Sequence, residues 1–460
     1  MINVDPKIKA AFQADNVKKY WSLQFPEVVN TETGEVEKPE KIFKNANIAS
    51  DSLTLTEPMC SEEQLTYGQC EAATFEIEIE YSDESLVGRV FNVFLVLGDY
   101  SEPQYVFTVG RYVVDTEEIS AERYTKTITA YDIMYALKAL DVTAWYYEVQ
   151  FPISIKDFRD SLFEYVNQEQ ETKNSDGTDL VLVNDHMMLT NSPLDGETEI
   201  LFETLIVAIC EWNGSFGHIN RNGKFDYKRL TADYTNEVYP AKDLYPSHDL
   251  FPYSARSTNY YIDPHLIKSD IEWQNYMCKT VDTVQARGKS GRVAGQYHIP
   301  EKTTYTNIYV IQDNWLTDAF TSEDLAIALI NFGEFIKMIT YKPCKANIKM
   351  DLSYEVGDAI TLTGFDGTLI PTFILNRTTT GIMHAFDEIE ATGYEEWVNE
   401  SPSMDGAVSE MLDELNDLSD RVDALESGED QGISIISVEK LPEAPKKNVL
   451  YLVQGKIAVY

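Results

Sequence analysis

The feature that most constrains this chain is a short heptad run near its C-terminus. Apolar residues there alternate spacings of three and four, which places them along one seam of a helix at a and d positions. The six positions are Val408, Met411, Leu415, Leu418, Val422 and Leu425. Such a seam is too narrow to cover a globular core, so its expected partner is another copy of itself. We therefore expect the roughly four hundred preceding residues to be arranged around a symmetry axis.

The charge around this seam is mostly acidic. In a parallel register, Arg421 at a g position faces Glu426 at the next e position of a neighbouring chain. This pair is one of few favourable ones among many carboxylates. The coiled coil is therefore expected to be marginal by itself, since the run is short and self-repelling.

The net charge of the whole chain disfavours some classes of partner. The 460 residues include 37 Lys and Arg against 76 Asp and Glu, which gives a formal net charge of −39. A balance this acidic disfavours stable binding to nucleic acid or to an anionic membrane, and its simplest role is solubility. At this length we expect about two to four domains.

Targeting signals and cysteine motifs are missing from the sequence. The N-terminus lacks the basic and apolar segments of a secretory signal, and the apolar stretches 93–97 and 205–210 fall far short of the ~20 residues of a spanning helix. We therefore expect a soluble chain made in the cytosol. An odd number of scattered cysteines predicts buried free thiols, with neither a disulfide framework nor a zinc site. They are Cys60, Cys70, Cys210, Cys278 and Cys344.

Two regions of the chain have the pattern of β-sheet. Residues 75–81 alternate apolar and anionic side chains with period two, as a half-buried antiparallel strand does. Further strands are predicted near 90–96, 105–109 and 124–131, and strands return between about 266 and 398 around a helix that begins near Thr321. Many short strands separated by turns favour a barrel or sandwich over a parallel α/β sheet.

The region between them has helical periodicity. Ser154 is a candidate N-cap of one helix, and a second helix over 201–212 ends at Asn213-Gly214. Asn222-Gly223, between two alternating segments, predicts a hairpin.

The predicted fold is therefore β-rich and multidomain, of the α+β class. The predicted parts are a first barrel-like domain at 1–142, an α+β insert and connection at 143–265, a second barrel-like domain at 266–398, a linker with the short coiled coil at 399–428, and a small β segment at 429–460.

Motifs for catalysis or metal binding are incomplete. The six histidines are scattered singly, and none forms a helical metal pair. Asp185-His186 resembles half of a catalytic relay, but no nucleophile elbow accompanies it. Residues 176–179 look like a fragment of a calcium loop that lacks its distal bidentate Glu. We predict a chain that is not an enzyme and has no cofactor and no metal, although its many carboxylates leave a glycosidase pair open.

Three stretches of the sequence carry a resemblance to a known family. The first runs from IASDSLTLTE at 48–57 to LTYGQCEAATFEI at 65–77, the second from VGRYVV at 109–114 to ITAYDIM at 128–134, and the third from YEVGDAI at 354–360 to IEATG at 389–393. In these stretches the chain resembles the hub or tail-associated (Tal-like) proteins of phage tail tips. Their order and spacing over most of residues 40–395 make the resemblance more specific than any one stretch does.

The resemblance implies a homotrimeric baseplate hub in the virion, at the tip of a tail assembled in the bacterial cytoplasm. Two barrels per subunit would form a ring under the tail tube. The implied partners are a distal tail protein or tube ring, the tape measure protein, and receptor-binding or fibre proteins. According to this interpretation, the ring of barrels holds the three subunits together and places their heptad segments side by side on the symmetry axis. The coiled coil is then a consequence of trimer formation and not its cause. The roughly thirty residues after the heptads are too few for a peptidase or lysozyme domain.

Two other readings stay open at the level of sequence. One is a tail-associated cell-wall hydrolase with a carboxylate pair in the 143–235 region. The other is a carbohydrate-binding adhesin that uses exposed aromatic residues such as Trp145, Tyr146 and Tyr147, although aromatic clusters more often belong to a core.

Overall fold

The chain forms two compact units, residues 1–399 and 400–460. The computed structural model describes residues 6–14, 17–30, 33, 35–98, 103–174, 177–230, 262–300, 302, 305–364, 366–382, 384–397, 434–438, 449–453 and 456–458. The heptad positions 408–425, together with Arg421 and Glu426, lie outside these residues. The coiled coil therefore stays a prediction.

The first β-rich region begins with a helix and continues as strands. Its elements are α1 (Pro6–Gln13), β1 (Lys19–Phe25), β2 (Val28–Val29), β3 (Val36–Lys38), β4 (Lys41–Lys44), β5 (Thr54–Pro58), β6 (Thr74–Glu80), β7 (Val90–Gly98), β8 (Pro103–Ile119) and β9 (Thr125–Tyr131). Strand β6 confirms the predicted alternation, since Phe75, Ile77 and Ile79 are buried whereas Glu76 is exposed.

The region that follows is mostly helical and ends in a hairpin. Its elements are α2 (Ile133–Lys138), α3 (Thr143–Tyr146), β10 (Ile153–Ser154), α4 (Ile155–Tyr165), β11 (Met188–Leu189), α5 (Phe202–Trp212), β12 (Ser215–Ile219) and β13 (Phe225–Arg229). The predicted cap is confirmed, because the Ser154 hydroxyl accepts a hydrogen bond from the Asp157 amide at 3.0 Å. The hairpin is confirmed as β12 and β13, which pair antiparallel around a turn in which Gly223 has φ of 78°.

The second β-rich region contains strands around a long helix. Its elements are β14 (Glu272–Trp273), β15 (Thr283–Arg287), β16 (Val293–His298), β17 (Ile308–Ile311), α6 (Leu316–Ala319), α7 (Ser322–Ile336), β18 (Cys344–Lys349), β19 (Ala359–Thr363), β20 (Leu369–Phe373), β21 (Asn376–Thr380) and β22 (Phe386–Ala391). Helix α7 begins next to Thr321, as predicted, and the Thr321 hydroxyl caps it by accepting a hydrogen bond from the Asp324 amide at 3.1 Å.

Eleven of the described strands form one antiparallel sheet shared by both β-rich regions. Its order is β14-β18-β22-β21-β5-β6-β9-β8-β7-β1-β4. The regions join where β21 pairs with β5, and Thr378 faces Thr56 there. Ile48, just beyond β4, forms an antiparallel bridge with Ile79 of β6, so the sheet curls back on itself.

The prediction of a β-rich fold is thus confirmed. The eleven strands of the large sheet form one open sheet, however, and the described strands include no closed barrel. The reason is that the edges of the two predicted barrels hydrogen-bond to each other through β5 and β21. The division into five domains stays a prediction.

The described residues form two apolar cores. One lies within the curled sheet and under α1, around Trp21, Phe75 and Phe91. The other joins the helical region to the second β-rich region, around Phe158, Trp212 and Phe332. All five cysteines are free and buried, as predicted. Over the described part of the chain, no helix has the length and apolar character needed to cross a membrane.

The second compact unit contributes three described strands, β23 (Ser434–Val438), β24 (Val449–Val453) and β25 (Lys456–Ala458). Strand β24 pairs parallel with β23 and antiparallel with β25.

Candidate functional site

A buried charge network lies where the two β-rich regions meet. Arg377 of β21 has no exposed side-chain surface, and its guanidinium donates to Asp387 Oδ2 of β22 at 2.8 Å. The same guanidinium donates to the carbonyl oxygens of Tyr354 at 2.5 Å and Asp351 at 3.3 Å. Glu57 of β5 lies 3.7 Å away. One cation therefore connects three neighbouring strands to the loop that follows β18, and its burial is compensated by charge and hydrogen bonds.

The Asp387 carboxylate has donors beyond this arginine. It accepts a hydrogen bond from the Thr379 hydroxyl at 2.6 Å and another from the Asp351 amide at 3.1 Å. Because Asp387 is fully buried, these donors replace the water that an exposed carboxylate would bind. The arrangement holds strands β21 and β22 in a fixed register.

A second ionic group ties the β12–β13 hairpin to the same loop. Lys228 Nζ lies 3.2 Å from Glu355 Oε2 and 3.1 Å from Asp226 Oδ2. Arg221 Nε lies 3.8 Å from Glu355 Oε1, and its guanidinium stands 4.7 Å above the ring of Phe107. Burial by itself raises the pKa of Glu355, but Lys228 and Arg221 outweigh it and lower that pKa to about 2.

The YEVGD sequence at 354–358 forms the loop that connects the two groups. The carbonyl of Tyr354 accepts from Arg221 at 3.4 Å as well as from Arg377. The amide of Glu355 donates to Asp358 Oδ2 at 2.8 Å. Gly357 has φ of 89°, a conformation that favours glycine, so the turn depends on this residue. The third stretch of the sequence resemblance is therefore the point where the hairpin, the sheet and the loop are fastened together.

An acidic cleft of about 490 Å³ opens beside α5 and α6. Glu211 of α5 lines it and accepts hydrogen bonds from Asn314 at 2.7 Å and Tyr309 at 3.2 Å. Burial raises the pKa of Glu211 to about 7, although these two neutral donors lower it. A carboxyl group that titrates near neutral pH has the property required of a general acid.

The other carboxylates of this cleft include groups that have cationic partners. Glu203 lies 2.8 Å from Lys138, and Glu197 lies 3.2 Å from Lys289. Glu211 differs from them because the hydrogen-bond donors found for it among the described residues are neutral. Among the carboxyl groups of the 143–235 region, Glu211 therefore best fits the hypothesis of a cell-wall hydrolase.

The aromatic triplet of the adhesin hypothesis does not form one exposed surface. Trp145 and Tyr146 are buried at 8% and 1% exposure, and both pack against Phe158. Tyr147 is 48% exposed, and its hydroxyl donates to the Glu197 carbonyl at 2.8 Å. The first two therefore belong to the core, as aromatic clusters commonly do.

The fragments of catalytic and metal motifs have structural roles. Asp185 is buried and accepts from Arg159 at 2.8 Å, whereas the neighbouring His186 is exposed, so the two do not form a relay. Asp179 pairs with Lys173 at the protein surface. Within the ranges that the structure describes, no three or more His, Cys, Asp or Glu side chains are grouped so as to hold a metal ion.

The Arg377 network was not predicted from the sequence. Its signal lies in β21, where Arg377 and Thr379 occupy the buried positions of an alternating strand. An arginine is normally assigned to the exposed face of a strand, so this pattern is recognisable only once the register is known.

Solved structures that are similar to this chain match it at low sequence identity and with TM-scores below 0.5. No protein-family model matches the chain, and no curated protein matches it. A tail protein from Neisseria meningitidis is 10% identical, with 83% of this chain and 98% of that one covered at a TM-score of 0.43. A prophage tail protein from Listeria monocytogenes is 13% identical, with 81% and 94% covered at a TM-score of 0.41. A 43 kDa prophage tail protein from Shewanella oneidensis is 10% identical, with 76% and 95% covered at a TM-score of 0.39.

Proposed function

We propose that this chain is a structural protein of a phage or phage-derived tail, and within it the tail-tip hub that closes the tail tube as a homotrimer. The supporting observation is the placement of the three stretches that resemble hub proteins. Although the stretches lie at 48–77, 109–134 and 354–393, six of their strands are consecutive in one sheet, in the order β22-β21-β5-β6-β9-β8. The other two strands of the third stretch, β19 and β20, pair with each other in a separate two-stranded sheet. Most of the resemblance therefore covers one connected part of the large sheet.

The proposed mechanism is mechanical. A subunit that closes a tube must keep its shape until the receptor is engaged, and then separate from its neighbours. The Arg377 and Glu355 groups give the subunit internal rigidity, since they fasten the hairpin, the loop and three strands together. In this proposal the partners are a distal tail protein or tube ring, the tape measure protein, and receptor-binding or fibre proteins.

The direct test is to locate the chain in purified tail particles. Antibody labelling in electron micrographs should mark one end of the tail, and native mass measurement of the full chain should give three copies. Particles that contain no copy of this chain would contradict the tail function. A single copy per particle would contradict the trimer but not the tail function.

The role of the heptads has its own test. Truncation after Glu400 should leave the trimer intact if the ring holds the subunits together. Replacing Leu415 and Leu418 by Asp in the full chain tests the same seam without shortening the chain. Loss of the trimer in both variants would make the heptads its cause.

A cell-wall hydrolase is the second candidate function, because Glu211 lines an acidic cleft and has a pKa near 7. Zymography on purified peptidoglycan should show clearing that is lost in Glu211→Gln. The control is Glu164→Gln, since Glu164 is an exposed carboxylate of α4. Absence of clearing by the unmodified chain would exclude this candidate for that substrate.

A further inference from the structure

A second cleft, of about 360 Å³, opens at one edge of the eleven-stranded sheet. This edge is formed by β14, which pairs with β18 on one side and is the terminal strand of the sheet. Three aromatic residues line the cleft: Trp273, Tyr276 and Tyr394. Its volume lies near the lower end of the ~300–1,000 Å³ that is common for small-molecule sites.

Hydrogen bonds fix the aromatic side chains of this cleft. The Tyr276 hydroxyl donates to the Gly393 carbonyl at 3.1 Å, and the Tyr394 hydroxyl donates to the Glu63 carboxylate. Since both hydroxyls are engaged, the rings contribute mainly apolar surface to a ligand. Tyr394 is 40% exposed, so a ligand has access to it.

Gly393 allows the chain to pass closely behind these rings. A Cβ atom at this position would lie 2.5 Å from Cys278 Sγ and 2.6 Å from the Tyr341 hydroxyl. Glycine is therefore the residue that fits there, and the backbone that receives the Tyr276 hydroxyl is held against the core.

Charges in the cleft already have partners. Lys345 faces Glu272 on one neighbouring strand and Glu390 on the other, and its ammonium lies 2.7 Å from Glu388. The ammonium of Lys342 stands 5.8 Å from the centre of the Trp273 indole ring. A cationic ligand would compete with Lys345, which lines the cleft, whereas the carboxylates of Glu272 and Glu390 have further lone pairs that accept hydroxyl groups.

We propose that this cleft binds a pyranose-containing saccharide. The apolar C–H face of a sugar ring would stack on an aromatic ring, and its hydroxyls would donate to Glu272 and Glu390. Such a ligand is neutral, is apolar on one face and is rich in donors at its rim, which is the chemistry that the cleft offers. This inference does not depend on the proposed tail function.

Titration of the full chain with maltotriose, cellotriose and chitotriose, followed by calorimetry and tryptophan fluorescence, tests the proposal. At least one should bind saturably at millimolar concentration or below. Tyr394→Ala should weaken this binding about tenfold or more through loss of the ring, whereas Tyr394→Phe, which keeps the ring, should retain most of it. Tyr165→Ala is the matched control, because Tyr165 is a 51% exposed tyrosine outside the cleft.

Glu272→Gln provides a second variant on an exposed residue of the edge strand, in case Tyr394→Ala does not fold. It should weaken saccharide binding without changing the melting temperature. Arginine amide, titrated in parallel, should give no saturable response. The proposal is overturned if none of the three saccharides binds, if arginine amide binds in their place, or if binding survives in both Tyr394→Ala and Glu272→Gln.

Discussion

The sheet junction and the acidic cleft contain the same chemical group in opposite surroundings. At the junction, the buried Asp387 lies beside Arg377, and the mostly buried Glu355 lies beside Lys228 and Arg221. In the cleft, the carboxyl of Glu211 receives hydrogen bonds from the neutral side chains of Asn314 and Tyr309. Burial raises the pKa of a carboxyl in both places, but cations reverse that effect only at the junction, as Glu355 shows.

This difference separates a structural carboxylate from a chemically available one. A carboxylate between buried cations stays ionised and contributes to stability, because protonating it would leave the cations unpaired. A carboxyl whose donors are neutral exchanges its proton near neutral pH and is available to a substrate or ligand. The junction therefore fits a rigid structural protein, whereas the cleft is the place where chemistry would have to be sought.

The largest effect is expected from Arg377→Met. The substitution leaves Asp387 and Glu57 buried without their cation, so the free energy of unfolding should fall by about 3–5 kcal/mol. Urea unfolding at neutral pH measures this loss. The control is Lys279→Met, which removes a half-exposed lysine that pairs with Glu395 and Glu396 and should lower the free energy of unfolding far less than Arg377→Met does. Equal losses in the two variants would show that the buried ion pairs of the junction contribute no more to the free energy of unfolding than a surface ion pair does.

The elements that could be predicted from the sequence are those set by short-range rules. The alternation in β6, the Ser154 cap and the Asn222-Gly223 hairpin each depend on a few neighbouring residues, and the structure has all three. The shared sheet could not be predicted in this way. Its decisive pairing joins Thr56 to Thr378, which are 322 residues apart, and strand alternation alone does not identify a distant partner.

The candidate site was harder to predict because its residues break the usual rules of burial. Arg377 occupies an inward position of β21, where periodicity predicts an apolar residue. Glu211 lies on α5 between buried residues and is one of many acidic residues in the chain, so nothing in the sequence distinguishes it from a surface carboxylate. Conversely, the sequence alone allowed Trp145 and Tyr146 to be exposed binding residues, but both are buried in the core. Which rings of an aromatic run are covered depends on tertiary packing, which the local sequence does not reveal.

An intermediate effect is expected from Glu355→Gln. Lys228 keeps Asp226 as a partner, so the loss should be about 2–3 kcal/mol, smaller than for Arg377→Met. The pKa of Glu355 is lowered to about 2 in the folded chain, so its contribution is complete above its ordinary pKa of 4.5 and is lost as the pH falls toward 2. Urea unfolding should therefore show unmodified chain and variant converging between pH 4.5 and 3. A difference that stays constant over this range would contradict the assignment of the lowered pKa to Glu355.

The smallest effect is expected from Glu211→Gln, and its sign is opposite. The folded chain holds the pKa of Glu211 at about 7, above the ordinary 4.5, so the folded state binds a proton that the unfolded state releases between these values. The contribution of Glu211 to the stability of the unmodified chain should therefore fall as the pH rises from 4.5 to about 7 and level off above that value. The full shift corresponds to about 3 kcal/mol, and access of water to the open cleft reduces it to about 1–2 kcal/mol. Glu211→Gln should then be more stable than the unmodified chain by this amount at pH 8 and equal to it at pH 4.5.

Asp132 makes this measurement specific, because burial raises its pKa to about 7 as well and it is present in both proteins. Its contribution to the pH dependence cancels when the two unfolding curves are subtracted, since neither carboxyl is among the groups that shift the pKa of the other. The remaining difference reports Glu211 alone. If that difference does not change with pH, the carboxyl in the cleft is solvated like a surface group, and the contrast with the junction disappears along with the case for a hydrolase.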